Sequence, residues 1–145
     1  MTLLELIIAC AILLVLSSAA LPIAKYTIIR QKEAELRRDL REMKDAIDRY
    51  KDAADRNQIR VEIGSEGYPL DLETLVKGVQ LGASSDRKIR FLRKIPVDPM
   101  TGRAEWGLRA VQDDPDSTSW GGKNVFDVYS KSTGTALDGT KYSDW

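Results

Sequence analysis

The chain has 145 residues and balances 22 Lys and Arg against 22 Asp and Glu, with one cysteine and no histidine. That composition excludes every chemistry that runs through an imidazole, whether triad, metal ligand or axial haem ligand, and it excludes a disulfide framework or a cysteine-built metal cluster. It also lacks the basic excess with which proteins meet nucleic-acid phosphates, so no nucleic-acid partner is expected.

The first element is apolar. Residues 6–24 carry no charge and are interrupted only by Ser17, Ser18 and Pro22, with the single cysteine, Cys10, among them. Nineteen such residues are about enough helix to cross a bilayer. A secretory signal would begin with a basic region and end at a small-residue cleavage site. Here no basic region precedes the run, and "KYTIIRQKEAELRRDLREMK" follows it without a break, so the segment is expected to be retained. Lys25, Arg30 and Lys32 on its C-terminal flank would, by the positive-inside rule, put the rest of the chain in the cytoplasm. Glu5 is the anomaly, because an ionised carboxylate in hydrocarbon is costly unless partnered. Taken alone, it is a residue of the first helical turn, favoured by the helix dipole and close to the headgroups.

Beyond the apolar run, Leu36, Leu40, Met43, Ile47, Tyr50 and Ala54 recur at four-three spacing, which keeps one face of a helix apolar. Pairs of opposite charge four apart, such as Glu33 with Arg37 and Asp45 with Arg49, line the other faces, each worth about 0.3 kcal/mol. One helix is therefore expected over residues 2–55, about 80 Å long. Pro22 lacks the N–H that would bond the Ser18 carbonyl, which predicts a kink or a locally unwound turn, with Ser17 and Ser18 placed to satisfy freed backbone groups.

The remainder reads as short pieces. "RVEI" (60–63) has strand composition, "GSEGYP" is a turn, and "DLETLVKG" is a short helix with Asp71 as N-cap and Gly78 as terminator. "KIPVDPMTG" is a turn bracketed by prolines, "AEWGLRAV" and "NVFDVYS" are strands, and "QDDPDSTSWGG" is a polar loop between them. The tail from Ser130 is irregular, with Tyr142 and Trp145 as anchors. The expected class is α+β: a long kinked helix packed on a small antiparallel sheet, with an irregular C-terminal loop. It divides into an apolar helix (1–24), an amphipathic continuation (25–56) and a β-rich head (57–145). Beyond residue 24 the charge is 22 basic against 21 acidic, close to neutral.

The opening "TLLEL", the uncharged run to Pro22 and the long amphipathic helix resemble the N-terminus of type IV pilins and type II secretion pseudopilins. "YPLDLETLV", "LRKIPVDPMTG" and "WGGKNVFDVYSKSTGTALDGTKYSDW" look most like the major, G-type pseudopilin. The resemblance implies the pilin fold and a structural role as the subunit of a helical homopolymer. It implies processing by a prepilin peptidase that N-methylates the new first residue, so the numbering is expected to be that of a mature chain with Met1 at its start. It also implies an assembly ATPase, an inner-membrane platform protein and minor pseudopilins as partners. The basic leaders of the family are cytoplasmic, which reverses the positive-inside expectation. The head then lies outside the inner membrane, and the assembled filament is periplasmic or extracellular. Glu5 acquires the role of pairing with the Met1 amine of an adjacent subunit, and Ala9, Ala11, Ala19 and Ala20 would allow close helix approach in the core. A surface pilus subunit for adhesion or motility is the alternative within the superfamily. A monomeric membrane-anchored binding module is the alternative outside it.

Members of that branch bind calcium in the C-terminal loop. Here only Asp138 and Asp144 offer carboxylates, with Thr140 and Lys141 where relatives carry adjacent aspartates, so no cofactor is expected. "RKIRFLRK" gathers Arg87, Lys88, Arg90, Arg93 and Lys94, and "DDPD" supplies Asp113, Asp114 and Asp116. A charge run is as a rule a solvated face; the other reading has these opposite patches meet between subunits and set their register. The three tryptophans are scattered and read as core anchors. Glu62, Glu66 and Glu73 have no spacing that orients a glycosidase pair, and no enzyme is expected.

Overall fold

The structure, a computed structural model, describes residues 2–145. Its dominant element is α1, Leu3–Asp55, a helix of 53 residues that spans about 80 Å. It starts at Thr2 in a capping box. The helical assignment continues through Pro22 without an unwound turn.

The C-terminal half of α1 is the spine of the head. Leu36, Leu40, Met43, Ile47, Tyr50 and Ala54, the stripe read from the spacing, are all buried, and Ala46 and Ala53 widen it. Against them pack Leu72 and Leu75 of α2 (Leu72–Lys77), Phe91, Leu92, Trp106, Val125, Val128 and Tyr142. Tyr50 meets Phe91 edge to face with centroids 5.4 Å apart. α2 is capped as its sequence requires: the Asp71 carboxylate accepts from the Thr74 N–H at 2.7 Å, and Gly78 ends the helix at φ +82°. There a Cβ would fall 2.7 Å from the Ile89 carbonyl oxygen, so the position demands glycine on both counts.

The sheet is two separate antiparallel ribbons rather than one. β1 (Val79–Gln80) pairs with β2 (Lys88–Ile89), and β3 (Trp106–Arg109) with β4 (Asp127–Ser130) in the register Trp106↔Ser130 to Arg109↔Asp127. Gly107 lies under the ring of its cross-strand partner Tyr129, which leaves no room for a Cβ. The expected strand at "RVEI" does not form. Only the preceding Ile59 is buried, bridging Leu81, while Val61 and Ile63 are exposed. Glu62 instead offers its carbonyl to the Ser65 N–H and hydroxyl, so the chain turns before it can pair.

The turn after Ile95 is built around a wholly buried carboxylate, that of Asp98. Its Oδ1 accepts from the Met100 N–H at 2.8 Å and its Oδ2 from the Ser130 hydroxyl at 2.5 Å, tying the proline-bracketed turn to β4. Truncating one partner of a buried charge-assisted bond leaves the other unsatisfied. Asp98→Ala should therefore lower head stability by roughly 3 kcal/mol, read from urea unfolding of the full chain in detergent by tryptophan fluorescence. A loss below about 1 kcal/mol would place the bond outside the stabilising network.

Candidate functional site

The N-terminal half of α1 has no cover. Every residue from 2 to 28 is exposed, including Leu3 at 75% and Leu14 at 72%. The most apolar stretch of the helix is long and apolar enough to cross a membrane, and none of it is buried by the rest of the chain. Apolar residues occupy all sides, so no single partner face would bury them; a lipid phase or a ring of helices would. Two of its hydroxyls are turned inward on the helix itself: the Ser18 hydroxyl donates to the Val15 carbonyl at 2.7 Å and the Thr27 hydroxyl to the Ile23 carbonyl at 3.0 Å. Ser17 and Ser18 lie in the turn whose Ser18 carbonyl loses its donor at Pro22.

Glu5 closes the start of this helix. The Thr2 N–H donates to its Oε2 at 2.8 Å, and the Glu5 N–H donates to the Thr2 hydroxyl at 3.3 Å. The carboxylate thus neutralises an orphan backbone donor and sits at the positive end of the helix dipole. This pairing goes beyond the first-turn placement expected of Glu5, and its signal in the sequence is the capping-box spacing Thr2-Leu-Leu-Glu5. The expected partner of Glu5, the Met1 amine, lies outside the described residues.

At the other end the head is clasped to α1 by the C-terminal loop. Glu33 Oε1 accepts from the Leu137 N–H and from the Tyr142 hydroxyl, both at 2.9 Å. Arg37 stands 3.6 Å from Asp138 and stacks over the Trp145 ring at 3.9 Å. Lys44 reaches Asp127 at 3.2 Å. Tyr142 and Trp145 pack edge to face, so the two aromatic anchors of the tail occupy one site. Burial, reinforced by Glu33, pushes the Tyr142 hydroxyl above its ordinary value.

This loop does not fit a calcium ion. Asp138 spends Oδ1 on the Thr140 hydroxyl and N–H, at 2.6 and 2.9 Å, and Oδ2 faces Arg37. No group of three or more His, Cys, Asp or Glu side chains converges among the described residues, Asp144 included. Thr140 therefore closes the loop by hydrogen bonding.

The charged runs separate into different jobs. Asp113 is internal to its loop: its Oδ2 accepts from the Ala110 N–H at 2.7 Å and the Gly121 N–H at 3.0 Å. Asp114 and Asp116 are exposed on the turn it holds. Of the basic run, Arg87, Lys88, Arg90, Arg93 and Lys94 are all exposed, and Arg90 bonds the Val76 carbonyl at 2.7 Å. Arg49 of α1 joins Arg90 and Arg93 at one cleft, a member that the linear run does not contain. Trp106 is a core anchor, its indole donating to the Pro96 carbonyl, whereas Trp120 is partly exposed and bonds the Asn124 carbonyl.

One long helix, apolar and bare at its N-terminal half and clasped by an α+β head at the other, is the arrangement consistent with a pilin-like fold. Comparison of the chain with protein-family models, with curated proteins and with solved structures found no match to any of them.

Two loop carboxylates and one helix carboxylate titrate in opposite senses. Asp113 is held below the usual carboxylate range by the Ala110 and Gly121 N–H groups, and Asp138 by Thr140. Each contributes stability that is present above the unfolded value near pH 4 and lost as pH falls through the lower folded value. Asp39, buried with only Arg38 at 3.9 Å, is pushed up by desolvation, so its charge costs stability at neutral pH. Asp113→Asn and Asp138→Asn should flatten the loss of stability below about pH 4, and Asp39→Asn should raise stability at pH 7 but not at acid pH. Thermal unfolding across pH 2–8 measures all three.

Proposed function

We propose that this protein is the structural subunit of a helical homopolymer of the pilin and pseudopilin kind, anchored in the inner membrane by the apolar helix that ends at residue 24 before assembly. The observation that carries the reading is the complete exposure of that apolar half on a helix whose other half is fully committed to a folded head. In a membrane, lipid covers it; in a filament, copies of the same helix would cover it and leave the heads outside.

Glu5 is the assembly residue of this scheme. Its Oε1 has no partner among the described residues, and the Met1 amine of an adjacent subunit would neutralise the charge as a chain leaves the bilayer. A prepilin peptidase, an assembly ATPase, a platform protein and minor pseudopilins complete the machinery. Within the superfamily we assign the chain to the major pseudopilin branch of type II secretion, on the C-terminal segments "YPLDLETLV" and "LRKIPVDPMTG" and the closing loop that clasps α1. The filament would then be periplasmic or extracellular. The protein would carry out no chemistry of its own.

The test is electron microscopy of material sheared from cells that produce the chain with its assembly machinery, together with the intact mass of the subunit. Filaments whose subunit mass fits an N-methylated Met1 are expected, and Glu5→Leu should reduce their yield roughly tenfold or more while leaving head unfolding unchanged. A chain found only as a membrane monomer would instead be an anchored binding module. Loss of secretion on deletion favours the pseudopilus, and abundant native surface fibres favour the pilus.

A further inference from the structure

We infer that the head carries a specific subunit–subunit contact, in which the arginine cleft beside α1 receives the Asp114–Asp116 turn of a second copy. The inference rests on the polymer reading above and names the surface that would set its register. The cleft has a volume of about 600 Å³ and is lined by Arg49, Arg90 and Arg93, with Glu42 as its one carboxylate and Phe91 and Leu92 as its floor. Arg49 is fixed there by donating to the Phe91 carbonyl at 2.8 Å, and Arg90 by donating to the Val76 carbonyl at 2.7 Å. None of the three guanidiniums has an acidic side chain within ion-pair distance among the described residues. Arginine forks of this kind match carboxylates in planar, two-pronged bonds.

The complementary surface is preorganised. Asp113 pins both ends of its loop, and the Ser117 N–H bonds the Asp114 carbonyl at 3.0 Å, which closes a turn with Pro115 and Asp116 at its tip. Arg109 holds the Ser117 carbonyl at 2.9 Å from below. The Asp114 and Asp116 carboxylates accept no hydrogen bond and form no ion pair among the described residues, and both are exposed. A loop already rigid in its bound shape loses little entropy on docking.

Geometry prevents the two surfaces from meeting within one chain. Arg49 faces the cleft, while Lys44 faces Asp127, at the strand into which the acidic loop runs. Those helix positions are five residues apart, about 140° around the α1 axis at 3.6 residues per turn. Cleft and turn therefore lie on different flanks of the helix. A patch on one flank that binds a different patch on another is a heterologous contact, which propagates from subunit to subunit and gives an open helix wherever the rotation does not close into a ring.

The test uses the full chain in filaments. Lys94→Cys beside the cleft and Thr118→Cys beside the turn are introduced in a Cys10→Ser background, and a short bis-maleimide is added. A covalent ladder of dimers, trimers and higher species is expected. Arg93→Glu should reduce that ladder about tenfold, and adding Asp116→Arg to the same chain should restore it. Filaments without a ladder, bands that stop at dimer, or a ladder insensitive to Arg93→Glu would each overturn the contact while leaving the polymer intact. If the unsubstituted chain forms no filaments, the polymer reading itself fails and this contact with it.

Discussion

A helix can hide one apolar stripe against a domain, but it cannot hide an apolar surface that runs all the way round. In this chain both situations occur on the same uninterrupted element. From Leu36 onward, α1 shows a stripe, and the head buries it completely. From Leu6 to Ala24 the helix is uncharged, apolar on every side and exposed, and the head buries none of it. Burial of apolar surface is worth about 25 cal/mol per Å², so the bare half strongly favours leaving water. The head, the cap at Glu5 and the inward-turned hydroxyls of Ser18 and Thr27 are all compatible with that transfer.

The head makes sense as a rigid load on the spine. Glu33, Arg37 and Lys44 project from one flank of α1 to hold the C-terminal loop and β4, and Arg49 projects from another to hold the segment after β2. Four attachment points along the helix leave little freedom for the head to swing. In the proposed polymer, the orientation of each helix would then dictate the orientation of its head, and a contact between heads could fix the register of the helices. Burial of Asp98 serves the same end, because a carboxylate with two strong bonds fixes the turn that lies between the arginine cleft and β3.

Much of this was legible in the sequence, for identifiable reasons. The six-residue stripe of α1, the Asp71 and Gly78 caps and the strands around Trp106 and Tyr129 each rest on a local rule that no tertiary contact overrode. "RVEI" failed because strand composition does not supply a partner, and the backbone at Glu62 found a turn first. The capping box at Thr2 and Glu5 is written in the spacing Thr-Leu-Leu-Glu, and it gives the carboxylate a backbone partner that the cost of charge in a membrane does not by itself reveal. The charged surfaces were legible only in part. The run from Arg87 to Lys94 was visible as charge, yet the cleft needs Arg49, 38 residues upstream of Arg87, and no linear pattern brings those together. Nor could the sequence separate Asp113, which is spent on backbone N–H groups, from Asp114 and Asp116, which are not.

The central claim is that copies of the bare helical half cover one another, and the chain carries its own reporter for it. Cys10 is the only cysteine and lies exposed within the apolar segment. A nitroxide spin label at Cys10 in assembled material should show strong dipolar coupling between neighbouring subunits, as expected where helices pack about 8–10 Å apart, and the coupling should disappear on dilution with unlabelled chain. A spectrum without intermolecular coupling, the same at every dilution, would show helices separated by lipid and would contradict a packed helical core.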